Sequence, residues 1–160
     1  MMKTQAVKRQ FLFVVLLMLL STSVALPNEQ PKLNTTIDEQ VLIFRMENAK
    51  WSLPFEYPRF PSGAQKALLS IDSRSGGETY YAKFPAGSHF DLHWHSHTED
   101  VVVIRGKVTL LLGAKSHSLE VGSYIVIPAK INHEWVIDAS GDCIVLVRRG
   151  GPADFNFVRP

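Results

Sequence analysis

Between Gly87 and Gly106 the chain reads Gly-Ser-His-Phe-Asp-Leu-His-Trp-His-Ser-His-Thr-Glu-Asp-Val-Val-Val-Ile-Arg-Gly, and no other stretch constrains its fold so strongly. One residue separates His93 from His95, so in a strand they share a face, about 6.5–7 Å apart along it. Glu99 follows four residues after His95, a gap long enough for a bend that returns its carboxylate to the same point. Neutral imidazoles with a carboxylate form a ligand set for non-haem iron, manganese and related divalent ions. Such an ion would draw its ligands to about 2.0–2.2 Å, with zinc as the guide. Taken alone, the same residues also suit an exposed histidine-rich strand that fixes no metal.

The surroundings are β-type. From Ala67 onward, short apolar runs are punctuated by Gly, Pro, Asp and Ser. The pattern predicts strands at Ala67–Ile71, Thr79–Phe84, Phe90–His95, Asp100–Ile104 and Lys107–Leu112. Further strands are predicted at Ser116–Leu119, Ser123–Ile127, His133–Ile137 and Cys143–Arg148. Many short strands without a long helical period indicate an all-β sandwich or barrel. Before them, Val41–Phe44 suggests a short strand that pairs with another subunit. The proline-rich, aromatic stretch Trp51–Gly63 reads as an irregular wrap, its aromatics covering the core or closing a site mouth. The tail suggests one more edge strand through Phe155 and Phe157.

The first 25 residues have the layout of a secretory signal peptide. Lys3, Lys8 and Arg9 precede an unbroken apolar run of ten residues, Phe11–Leu20, and Ser23 and Ala25 suit signal-peptidase cleavage. Ten apolar residues fall short of the roughly 20 needed to span a bilayer, although an uncleaved anchor is the alternative. The chain is therefore expected to be exported, to a periplasm or outside the cell, with no stable membrane span after cleavage. The expected organisation is a signal peptide over residues 1–25, an arm over 26–64 and a β-barrel over 65–160.

Cleavage would take away three of the 17 basic residues and none of the 15 acidic ones, which leaves a formal charge of −1. No basic patch interleaved with aromatics is present, so nucleic acid is not an expected partner. Cys143 is the only cysteine; it reads as a buried small hydrophobe and cannot form an internal disulfide.

Fifteen residues after Gly106 a second constellation begins, Gly122-Ser-Tyr-Ile-Val-Ile-Pro128-Ala-Lys130-Ile-Asn-His133-Glu-Trp-Val-Ile137. Here the chain resembles the cupin superfamily over roughly residues 65–149. The first cupin motif, Gly-x5-His-x-His-x3,4-Glu-x6-Gly, is met at every position by Gly87, His93, His95, Glu99 and Gly106. The second, Gly-x5-Pro-x-Gly-x2-His-x3-Asn, is met by Gly122, Pro128 and His133. Lys130 replaces its glycine and Ile137 its asparagine. The resemblance implies a double-stranded β-helix, the jelly-roll cupin barrel, with one divalent metal held by His93, His95, Glu99 and His133. Iron or manganese is favoured, with zinc, nickel or copper as alternatives. Lys130 stands where glycine eases a tight turn, so strain or a changed turn type is expected there.

Fold alone does not choose an activity. The first reading is an exported mononuclear metalloenzyme, dioxygenase-like, acting on a small organic molecule. The second is a binding or sensing module whose metal anchors a ligand, and the third a barrel merely closed by its metal. No catalytic acid or base stands out; Tyr80, Tyr81 and His97 are the candidates. Only one of the two tyrosines can face inward, where Phe84 and Phe90 would make an apolar wall. His89 is read as a loop residue that could line the mouth, His117 as an exposed residue, and Asp91 as a contact of the His93 ring or of a substrate. A homodimer is expected, because small barrels often cover exposed edge strands by subunit pairing.

Overall fold

In a computed structural model that describes residues 41–159, ten strands form two antiparallel five-stranded sheets. The strands are β1 (Gln65–Ile71), β2 (Glu78–Phe84), β3 (His89–Trp94), β4 (Glu99–Arg105) and β5 (Lys107–Leu112). They continue with β6 (Lys115–Glu120), β7 (Tyr124–Ile127), β8 (His133–Ile137), β9 (Cys143–Arg149) and β10 (Asn156–Phe157). One sheet runs β1-β2-β9-β4-β7 and the other β10-β3-β8-β5-β6. The fold is the cupin jelly roll expected from the motifs. The expected signal peptide over residues 1–25 and residues 26–40 of the expected arm lie outside the described residues.

Alternation decides which side chains go in. Along β4, Glu99, Val101 and Val103 are buried, and along β8 His133, Trp135 and Ile137. Facing residues interdigitate into one core that includes Val101, Val108, Leu110, Ile137 and Cys143. A slip of one residue would turn each set to solvent, so the hydrophobic pattern also fixes the register of the polar groups among them. In that register His93 on β3 stands opposite His133 on β8. In the other sheet, Glu99 on β4 stands opposite Arg149 on β9. An irregularity between Phe90 and His93 gives β3 one extra residue against β8, the kind of bulge that re-aims a side chain.

Two turns bear on the motif residues. Gly106 has φ +78°, and a Cβ there would lie 2.5 Å from the Asp142 carbonyl oxygen. Only glycine fits. Lys130 also has positive φ, +65°, so the turn before β8 keeps a glycine-type geometry with a side chain in it. Its amide donates to the His95 carbonyl at 2.8 Å, which holds the backbone in place despite a cost of about 1–3 kcal/mol for such a conformation. Lys130→Gly is expected to stabilise the protein by about 1 kcal/mol net of the extra freedom of the unfolded chain. For a domain of this size that raises Tm by about 2–4 °C, which calorimetry on the two proteins would read.

One expected strand, read as pairing with another subunit, is not formed within the single chain. Val41–Phe44 forms no strand; its side chains are exposed, and a single 3-10 turn follows at Met46–Asn48. An apolar run needs a partner edge to become a strand, and among the described residues none pairs with it.

Candidate metal centre

Three imidazoles converge where β3 ends and β8 begins. His93 lies on β3, His95 follows just after it, and His133 opens β8, and all three are buried. Nitrogen atoms from the three lie within 4.8 Å of one another. The ring centroids of His93 stand 4.3 Å from His133 and 4.8 Å from His95.

Each ring is aimed by a backbone carbonyl. His93 Nδ1 is 2.6 Å from the Asp91 oxygen, His95 Nδ1 2.6 Å from that of Asp154, and His133 Nδ1 2.9 Å from that of Ile131. A carbonyl only accepts, so each Nδ1 donates and each Nε2 carries the lone pair. All three Nε2 atoms are buried without a hydrogen-bond partner. A stranded buried acceptor costs about 1–3 kcal/mol, and three pointed at one place form a group that could hold a cation. Nδ1 donation to a carbonyl is also how metal-ligating histidines are oriented.

Glu99 adds the charge. Its Oε2 lies 3.3 Å from His95 Nε2 and 3.6 Å from His133 Nε2, again without a hydrogen-bond partner. Imidazole lone pairs facing a carboxylate oxygen at these distances repel unless a positive charge lies between them. Burial pushes the His93 pKa down, helped by His133, to about 3, and burial also lowers His133. Both rings therefore stay neutral at ordinary pH and able to coordinate. The donor set fits a first-row divalent ion.

Glu99 is not equivalent to the histidines, however. Its other oxygen, Oε1, is 3.3 Å from Arg149 Nη2, and both side chains are almost fully buried. Burial alone would raise the carboxyl pKa; the Arg149 guanidinium is the largest opposing influence, and Glu99 is held at about 2. Arg149 in turn donates to the Tyr80 hydroxyl from Nε at 3.1 Å and from Nη2 at 2.9 Å. The strand expected at Cys143–Arg148 runs one residue further, and Arg149 was not among the expected site residues. The signal was there, because Cys143, Val145, Val147 and Arg149 share one parity, and the first three are apolar.

Beside the imidazoles lies a cavity of about 250 Å³, lined by Phe60, Phe84, Phe90, Trp135 and Phe155, with Tyr80 and Arg149 among its polar groups. Phe84 and Phe90 make the wall expected of them. The wrap at 51–63 contributes to the mouth through Phe55, Tyr57 and Phe60, the last packed against Phe90 at a centroid distance of 4.9 Å. The tail supplies Phe155, 5.2 Å from the His95 ring, and Asp154, whose carboxylate also holds the Ser96 amide and hydroxyl. Thus the segment after β9 fixes the loop that carries His95.

The remaining candidates fall elsewhere. Tyr80 faces inward, whereas Tyr81 points outward and lies 6.5 Å from Trp51. His97 is exposed with its ring against Gly151, where any Cβ would lie 2.6 Å from it. His117 is exposed on β6. His89 is not in a loop at the mouth: it opens β3 on the outer face, with Nε2 2.9 Å from Glu134. The Asp91 carboxylate binds Arg59 at 2.9 Å and does not touch the His93 ring, which meets only its carbonyl. The two share the outer face, and the extra residue between Phe90 and His93 turns His93 to the opposite one.

A family model described as the ChrR cupin-like domain matches residues 39–152. No curated protein matches the chain in sequence. Among solved structures it is similar to one from Methylibium petroleiphilum provisionally described as an acetylacetone dioxygenase, at 23% identity and TM-score 0.62, covering 76% of this chain and 83% of that one. It is also similar to the polyketide cyclase RemF from Streptomyces resistomycificus, at 15% identity and TM-score 0.61, covering 76% and 87%. A cupin 2 conserved barrel domain protein from Rhodopseudomonas palustris gives 16% identity and TM-score 0.62, covering 75% and 87%. At these identities the likeness is one of fold.

Proposed function

The chain belongs to the ChrR cupin-like domain family, and from that premise we propose that it is a mononuclear metalloenzyme, dioxygenase-like, acting on a small organic molecule. One observation carries this reading: three imidazole Nε2 atoms and one carboxylate oxygen, all buried and unpartnered, meet at the wall of an apolar cavity. His93, His95 and His133 would hold the metal, with Glu99 beside it as the fourth group. Iron or manganese is the proposed ion, and it would supply Lewis-acid or redox chemistry. The chain's own residues provide the rest: Asp91, Asp154 and Ile131 carbonyls orient the rings, Arg149 keeps Glu99 ionised, and the phenylalanines exclude water. A provisionally described dioxygenase among the structural neighbours is compatible with this reading; the cyclase beside it shows that the fold also hosts other chemistry.

The test is elemental analysis of the purified mature protein followed by an oxygen electrode. Near-stoichiometric iron or manganese together with substrate-dependent oxygen uptake is the expected result. A metal-bound protein that consumes no oxygen across a panel of small ketones, diketones and phenols would move the reading to a binding or sensing cupin.

We propose further that the chain is exported by its first 25 residues. Intact-mass analysis of the secreted protein should then give an N-terminus at Leu26. Homodimer formation is likewise proposed, supported by the exposed Val41, Leu42, Ile43 and Leu53 in the 41–60 segment. Light scattering would show twice the monomer mass, reduced to one when Leu42 and Ile43 are replaced by aspartate.

A further inference from the structure

Tyr80 is buried at the cavity wall, and its hydroxyl has an unusual hydrogen-bond account. A phenol oxygen accepts through its lone pairs and donates through a single hydrogen. Arg149 Nε and Nη2 both donate to that oxygen, at 3.1 and 2.9 Å. The acceptor side is filled by a cation. Among the described residues no acceptor meets the hydroxyl hydrogen. Donation from a guanidinium withdraws electron density from the oxygen, which makes the remaining O–H a stronger donor. Burial, the largest influence, raises the Tyr80 pKa despite Arg149, so the group stays a phenol and keeps the proton it would offer.

Of the other polar groups at this cavity, His93, His95 and Glu99 belong to the candidate metal centre, and the rest are engaged except at Arg149 Nη1. The Lys66 ammonium pairs with Glu78 and lies 4.6 Å above the Tyr80 ring. Gln65 donates to the Ser52 carbonyl at 2.8 Å. The charge of Arg149 is met by Glu99 at 3.3 Å, and its plane lies 5.2 Å over Phe155, although Nη1 has no acceptor. Each cationic side chain thus has its own carboxylate, so these side chains add little net charge at the wall. What remains outside the candidate metal centre is the Tyr80 phenol with the adjacent Arg149 Nη1, set in a surround of Phe60, Phe84, Phe90, Trp135 and Phe155.

We propose that Tyr80 is the specificity-determining hydrogen-bond donor of this cavity, and that the cavity takes an uncharged, largely apolar molecule bearing a carbonyl oxygen. The inference rests on the proposed function in taking the cavity as the substrate site, and it names the class of that substrate. An occupant with the oxygen satisfies the phenol; one without it leaves a buried donor unpaired, which is how a site built for a polar atom rejects an analogue lacking it.

Two probes of nearly equal outline isolate the contact: acetophenone, and cumene, in which a methyl replaces the carbonyl oxygen. Calorimetric titration of chelator-treated protein keeps any metal from contributing to the preference. Wild type is expected to bind acetophenone about tenfold more tightly than cumene, the size of one net hydrogen bond to a buried group. In Tyr80→Phe the ratio should fall to about one, because acetophenone loses its partner and cumene no longer strands a buried donor. A ratio unchanged in Tyr80→Phe, equal weakening of both probes, or no binding of either to wild type overturns the proposal. The carbonyl stretch of acetophenone bound to wild type gives a second reading that does not depend on the variant's folding. It should lie below its frequency in hexane, and an unshifted band overturns the donor role. Zinc uptake by the same wild-type and Tyr80→Phe proteins separates the two claims. A ketone preference without zinc uptake would sink the metal reading alone, and zinc uptake without a ketone preference would sink only this one.

Discussion

His93→Ala should abolish stoichiometric metal binding while the barrel stays folded. The variant removes the central ring, which stacks on Phe90 at a centroid distance of 4.1 Å and stands 4.3 Å from His133. Two imidazoles and a carboxylate already paired with Arg149 would remain. In the metal-free protein the substitution has opposing effects. A cavity opens against Phe90, a change that costs about 2–5 kcal/mol for large side chains in well-packed cores. Against this, one stranded buried Nε2 disappears, which returns about 1–3 kcal/mol. The metal-free variant should therefore melt only modestly below metal-free wild type. The large effect appears on adding the ion: at about 1,000 times its Kd a ligand of the native state contributes about 4 kcal/mol, and this increment should be present in wild type and missing from the variant. His97→Ala is the matched control, because that ring is exposed and outside the converging group. If His93→Ala retained metal like wild type, the three nitrogens would not be the site.

Much of this centre was written in local spacing. The nine strands expected from Ala67 to Arg148 are all present, with ends displaced by no more than two residues, because period two and the Gly and Pro breaks act locally. His93 and His133 are 40 residues apart in the chain, yet the two motifs placed them together and the register of β3 on β8 brings them face to face. Lys130 likewise takes the positive φ that its glycine-type position implied. What stayed hidden depends on pairing between distant strands. Arg149 acquires its meaning only because β9 lies beside β4 and sets it opposite Glu99. Asp154 bears on His95 through a backbone carbonyl, a group every residue has, so no side-chain pattern announces it. Val41–Phe44 is the converse case: its composition suits a strand that pairs with another subunit, and no edge within the described chain receives it.

The Glu99–Arg149 pair yields the second large effect. Arg149→Met keeps the length and apolar stem of the side chain but leaves the carboxylate buried with its strongest partner gone. Breaking a buried pair from one side costs about 3–5 kcal/mol, on the order of 10 °C in Tm for a chain of this size. The pH dependence identifies the cause. In wild type the folded Glu99 pKa is about 2, below its ordinary value of 4.5. The unfolded state binds more protons between these values, so the contribution of Glu99 to stability is complete above about pH 4.5 and is lost as pH falls towards 2. In Arg149→Met burial dominates and the folded pKa rises above the ordinary value. Protonation then favours the folded variant, and its deficit against wild type should shrink steadily as pH is lowered from 7 to 4. A deficit caused only by lost packing would not change with pH. Glu99→Gln in the Arg149→Met background supplies the remaining arm: with no charge left to strand, it should recover most of the lost stability in chelator-treated protein. Added metal should also narrow the deficit of the single variant, since a divalent ion replaces the guanidinium as the counter-charge of Glu99. Denaturant melts of chelated and metal-loaded protein at three pH values would decide the matter. A deficit independent of both pH and metal would mean that Arg149 serves only to fill space.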